Sequence, residues 1–135
     1  MTTLEHTQEC WCGSGRPRDA CCAPLLAGKA KAETAEALMR SRYSAFVTRN
    51  EPYLRDTWYP VTCPADLHFD PDQQWLGLKV LRTEDGGTDD ERGVVEFVAR
   101  YKIHGKGHRL HEVSQFEHVA GRWLYVGGEV QAKSR

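Results

Sequence analysis

Four of the chain's five cysteines fall between positions 10 and 22: Cys10-Trp11-Cys12, eight intervening residues, then Cys21-Cys22. Four soft thiolates can fill the tetrahedral shell that zinc prefers. A shell closed by four protein sulfurs leaves no position for water, so a Zn2+ held by Cys10, Cys12, Cys21 and Cys22 is expected to be structural rather than a Lewis acid. Gly13 and Gly15 free the backbone to turn after the first pair, and Ser14 can bond locally to backbone. Arg16 and Arg18 are expected to offset part of the charge of a four-thiolate site. The competing chemistries are reduced or redox-active thiols, a disulfide joining the two pairs, and iron–sulfur ligation. Cys63 has no histidine beside it in sequence and is expected to be a buried, inert thiol.

A second constellation lies nearer the C-terminus. Strand alternation puts Leu110, Glu112, Ser114 and Phe116 on one face, which sets Glu112 among apolar neighbours. A carboxylate there can have its pKa raised and act as acid or base. Glu112, Ser114, Glu96 and Arg100, with Tyr43 and Trp58, are the expected lining of a pocket between helices and sheet. The commoner outcome for such a glutamate is structural, pairing with Arg42 or Arg100 or satisfying backbone N–H groups where helix meets sheet. His104, His108, His111 and His118 fit no compact metal shell and are expected at the surface.

These residues need elements to hold them. Thr34 can cap a helix from Ala35 to about Arg49, along which Ala35, Leu38, Met39, Arg42, Tyr43, Phe46 and Val47 recur at helical spacing. Its Arg40, Arg42 and Arg49 are expected as solvated surface arginines. Pro52 suits the first turn of a second short helix through Tyr53, Leu54 and Trp58, and Asp66–Phe69 is a candidate for a further brief turn of helix. Strands follow at Trp75–Leu81, about Val94–His104, about Arg109–Val119 and Arg122–Val126. The segment Thr83–Arg92 reads as an exposed hairpin loop, and Gly105, Gly107 and Gly121 mark turns. Helices first and an antiparallel sheet afterwards predict an α+β fold.

The bulk numbers agree with a folded chain and exclude little else. The 135 residues suit one domain with a small appendage. Eighteen basic and nineteen acidic residues give a net charge of -1, which provides no general attraction to nucleic acid or to an anionic membrane. No run is long and apolar enough for a membrane helix. The polar, acidic start does not resemble a secretory signal, so a cytoplasmic location is expected.

The cysteine segment, read as Cys10-x-Cys12-Gly13-Ser14-Gly15 followed by Cys21-Cys22, resembles the SEC-C zinc motif. At the tail of the bacterial secretion ATPase that motif docks a chaperone and the ribosome, but matching zinc ligands do not by themselves carry those partners over. Further along, Leu38-Met39-Arg40-Ser41-Arg42-Tyr43-Ser44-Ala45-Phe46, Trp75-x-Gly77-Leu78, Val95-Glu96-Phe97-x-Ala99-x-Tyr101, Leu110-x-Glu112-x-Ser114-x-Phe116 and Trp123-x-Tyr125-x-x-Gly128 resemble the bacterial YchJ family. The resemblance implies a SEC-C-like zinc segment over 1–28 and a nuclear-transport-factor-two-like domain over 29–135. It also implies a cone-shaped roll in which a curved antiparallel sheet wraps around the N-terminal helices. That fold class hosts many activities, so it does not choose one. The expectation is a zinc-binding protein acting as a non-enzymatic adaptor or protein-binding module. The alternative is a small-molecule-binding protein or an isomerase- or hydrolase-like enzyme using a cavity near Glu112. A protein partner through the zinc segment and a homodimer are the expected partners, and nucleic acid is not favoured.

Overall fold

The computed structural model describes residues 8–131; the outer ends of both expected units, 1–7 and 132–135, lie outside them. In chain order the elements are a 3-10 turn at Arg18–Ala20, helices α1 (Ala23–Leu26), α2 (Ala35–Thr48) and α3 (Glu51–Asp56), then strands β1 (Gln73–Asp85), β2 (Arg92–Ile103), β3 (Lys106–Val119) and β4 (Arg122–Val130). No described helix is long and apolar enough to cross a membrane.

Thr34 Oγ1 accepts from Ala37 N at 3.0 Å and starts α2, and Asn50 Oδ1 accepts from Tyr53 N at 3.1 Å and starts α3. The strands form one antiparallel sheet in the order β1-β2-β3-β4, each hydrogen-bonded to its sequence neighbour. Two-residue turns set the last two registers. His104–Gly105 and Ala120–Gly121 all have positive φ, the combination that matches the twist of a tight hairpin.

The sheet departs from the expected architecture. The fold is α+β, but not a cone-shaped roll: β1 and β4 never pair, and the sheet neither closes nor curls around the helices. In a four-strand meander with this order the end strands stay three strands apart, and closure would need more strands or a large stagger. Instead, α2 lies against one face, and Thr57–Tyr59 hydrogen-bonds to Tyr125 along the outer edge of β4. The hairpin loop is also shorter than Thr83–Arg92, because β1 runs to Asp85 and β2 starts at Arg92. The strand β4 continues through Gly127–Gly128 to Val130, and Asp66–Phe69 is not helical.

The core lies between α2 and the inner sheet face, where Leu38, Met39 and Tyr43 meet Val95, Phe97, Ala99, Phe116 and Trp123. Cys10, Cys12 and Cys22 belong to this same buried cluster, so the cysteine segment packs on the domain rather than projecting from it.

Candidate metal centre and neighbouring cavity

The segment folds as a small hairpin. Cys10 N donates to Arg16 O at 2.8 Å, Arg18 N donates to Gln8 O at 3.0 Å, and Glu9 bridges Pro17. Gly13, with φ 78°, turns the chain after Cys12 and passes so close to β1 that a Cβ there would sit 3.1 Å from Leu78 O. The 3-10 turn then brings Cys21 and Cys22 back, and Cys22 leads into α1.

The four sulfurs converge. All lie within 4.8 Å of one another, with 3.6 Å between Cys12 and Cys21 and 3.9 Å between Cys21 and Cys22. Thiolates about 2.3 Å from a tetrahedral zinc are separated by about 3.8 Å, so the donor set fits such an ion. All five cysteines are free. Cys10, Cys12 and Cys22 are buried and Cys21 is half-buried. Crowding splits the thiols: the hydrogen bond from Cys22, followed by Ser14, holds Cys12 far down, while that bond to Cys12 and burial push Cys22 up. Burial also pushes Cys10 up.

Ser14 makes the expected local backbone bond, accepting from Arg16 N at 3.2 Å, whereas the basic residue at the sulfurs is not one of those expected. Ser14 Oγ lies 3.2 Å from Cys21 Sγ, and Ser44 Oγ on α2 lies 3.9 Å from Cys10 Sγ. The basic residue that faces the site is Arg40, whose Nη1 donates to Cys12 O at 3.0 Å and lies 4.0 Å from Cys12 Sγ. Arg16 is exposed, and Arg18 stacks over Trp11 at 4.2 Å while bonding Gln8 and Glu9. Partners such as Ser44 and Arg40 orient the ligands and balance their charge. Nothing local to the motif points to them, because they reach it across the fold.

Beyond the metal centre, a cavity of about 220 Å³ opens between α2 and the inner sheet face. Tyr43, Phe46, Trp58, Trp75 and Phe97 give it aromatic walls, and Arg42, Glu112, Ser114 and Tyr125 supply the polar groups. Glu112 Oε2 accepts from Ser114 Oγ at 2.7 Å and from Tyr125 Oη at 3.1 Å. Burial first, and then the Glu112 charge, raise the Tyr125 hydroxyl's pKa, so it stays a donor. The glutamate has room because residue 128 is glycine: a Cβ there would lie 2.6 Å from Glu112 Cδ.

Of the expected pocket residues, Glu112, Ser114, Tyr43 and Trp58 come together here, whereas Glu96 and Arg100 do not. Strand alternation turns those two to the outer face of β2. There Glu96 binds His111 at 2.6 Å and Arg82 at 2.7 Å, and Arg100 is exposed.

Of the three arginines expected as solvated, Arg49 is exposed, Arg40 is half-buried and Arg42 is buried. Arg42 is 3% exposed, donates through Nη1 to Leu54 O and Thr57 Oγ1, and stacks on Trp58 and Tyr125. Burial lowers its pKa to about 10, and it forms no salt bridge with Glu112. Its place in the apolar periodicity of α2 was the signal for that burial. Arg49 caps the helix end in the left-handed conformation and donates to Asp70 O and Pro71 O. Cys63 is only half-buried, and His118 is half-buried against Trp123 rather than at the surface. Among the described residues, Trp58 Nε1 is buried without a hydrogen-bond partner.

Comparison with known proteins agrees over most of the chain. The family model described as YchJ, middle NTF2-like domain, matches residues 34–128. A UPF0225 protein of Ralstonia nicotianae is 48% identical, with 92% of each chain covered. Another, from Chromobacterium violaceum, is 51% identical over 90% of this chain and 92% of its own. The solution structure of a SEC-C motif containing protein from Rhodopseudomonas palustris is similar, with a TM-score of 0.82 and 37% identity over 93% of this chain and all 100% of that one. The crystal structure of a SEC-C motif containing protein from Psychrobacter arcticus gives a TM-score of 0.71 at 26% identity, over 98% of this chain and 88% of that one.

Proposed function

Because the chain belongs to the YchJ family, with a SEC-C-like segment ahead of an NTF2-like middle domain, we propose that Cys10, Cys12, Cys21 and Cys22 hold one structural Zn2+ and that the protein is a non-enzymatic binding module. The observation that carries the zinc reading is the mutual approach of four sulfurs, three of them buried in the domain's own core cluster. When bound, the ion would offset half the charge of four thiolates and hold the segment in its fold, with Arg40 and Ser44 of α2 against the sulfurs; a shell already filled by four sulfurs does not activate water. In this reading 1–28 and 29–135 are distinct in sequence but share one core.

The binding role is supported by what the clamped segment presents. Trp11 is half-buried under the Arg18 guanidinium, and Arg16, two residues before Arg18, is exposed. An aromatic ring with cationic neighbours suits a protein partner. Zinc-loaded chain and a Trp11→Ala/Arg16→Glu variant, both used as bait, test it. A partner captured by the first and lost from the second, with zinc content unchanged, is the expected result; identical captures contradict the adaptor role.

A second reading, small-molecule binding, is favoured by the aromatic cavity with its two charged groups.

A further inference from the structure

We propose that this cavity takes a small, neutral, planar ring carrying a carboxamide or lactam edge. The proposal rests on the second reading above and is independent of the zinc site. Three observations select that chemistry.

The first is size and wall character. About 220 Å³ falls below the roughly 300–1,000 Å³ typical of drug-sized sites, which suits a single ring. Tyr43 meets Trp75 edge to face at 5.6 Å and Phe46 meets Trp75 at 5.9 Å, so the walls offer ring surface for stacking.

The second is charge. Arg42 and Glu112 both line the cavity, one cation and one anion. An anionic ligand would be drawn to Arg42 but would face Glu112, and a cationic one the reverse. A neutral ligand avoids both penalties.

The third is hydrogen-bond capacity. Glu112 commits Oε2 to Ser114 and Tyr125, and Oε1 has no hydrogen bond from the described residues. Among the described residues Arg42 uses Nη1 alone, leaving Nε and Nη2 to donate. Glu112 and Arg42 thus bring an unused acceptor and unused donors to one cavity, both in contact with Tyr125, whose ring lies 4.5 Å from Arg42 Cζ and whose hydroxyl reaches Glu112. An amide supplies the matching pair: its N–H donates to Glu112 and its carbonyl accepts from Arg42.

The test titrates the zinc-loaded full chain with benzamide, benzoate, benzylamine and toluene, which share one ring and differ in polar edge and charge. The readout is the Trp58 indole N–H resonance, assigned with Trp58→Phe. Benzamide is expected to shift it and to bind at least tenfold more tightly than each other probe. Glu112→Leu is expected to weaken benzamide at least tenfold, with Glu112→Gln as a shape-preserving variant should the leucine form not fold. Ring-to-Phe97 nuclear Overhauser contacts locate the probe independently of any variant. Benzoate, benzylamine or toluene binding in the cavity as tightly as benzamide overturns the ligand class but leaves the second reading standing. No response of Trp58 to any probe overturns both.

Discussion

Replacing Gly128 with alanine isolates the device that holds Glu112 in the cavity. The backbone at 128 is outside the left-handed region, and the three atoms nearest a new Cβ all belong to the Glu112 side chain, Oε2 foremost, then Cδ at 2.6 Å and Cγ at 2.9 Å. The carboxylate must therefore move, and moving it breaks its bonds to Ser114 and Tyr125. Two hydrogen bonds to a charged acceptor, at about 1.5 kcal/mol each, set the loss near 3 kcal/mol. Alanine in place of a strand glycine returns about 0.5–1 kcal/mol of backbone entropy, so the net cost is about 2 kcal/mol. Urea unfolding of the zinc-loaded chain measures it. In a Glu112→Ala background the obstacle is gone, and Gly128→Ala is expected to be neutral or stabilising by up to about 1 kcal/mol. Equal effects in the two backgrounds would refute the claim that Gly128 exists to accommodate Glu112.

Three further outcomes are expected. Because Cys10, Cys12 and Cys22 sit in the domain's core cluster, chelating the metal is expected to lower the calorimetric Tm of the whole chain by at least ~10 °C, not merely loosen one end. Arg42→Lys gives up planar stacking on Trp58 and Tyr125 and one of two Nη1 bonds; thermal or urea unfolding is expected to show a loss of about 2 kcal/mol. The His111 hydrogen bond, then Arg82, hold the Glu96 carboxyl below its ordinary value of 4.5. A lowered carboxylate pKa adds stability that is complete above 4.5 and fades as the pH falls through the folded value, so Glu96→Gln is expected to flatten the acid side of a stability–pH curve.

Much of the positioning scaffold was legible in the residues. The apolar periodicity of α2, its Thr34 cap and the glycine turns at 105 and 121 each encode a local geometry the chain adopts. The convergence of the four cysteines was legible too, because their spacing along the chain is local. What the sequence did not reveal is what depends on distant approach. Arg40 and Ser44 reach the sulfurs only once α2 is laid against the segment, and Glu96 leaves the pocket because strand alternation points it outward. The sheet's failure to close is a property of strand order and number, which no single strand's pattern records. The burial of Arg42 is encoded in its place in the apolar stripe of α2, although an arginine's long charged side chain more often reaches solvent.

The central claim, a structural zinc held by four cysteines, is tested most directly by zinc K-edge X-ray absorption on metal-replete full-length chain, with the zinc-to-protein ratio measured on the same sample. The expected result is about one zinc per chain surrounded by four sulfurs at ~2.3 Å, with no light-atom neighbour in the inner shell. Metal-replete protein that holds no zinc, or an ion with fewer than three sulfur neighbours, would contradict it.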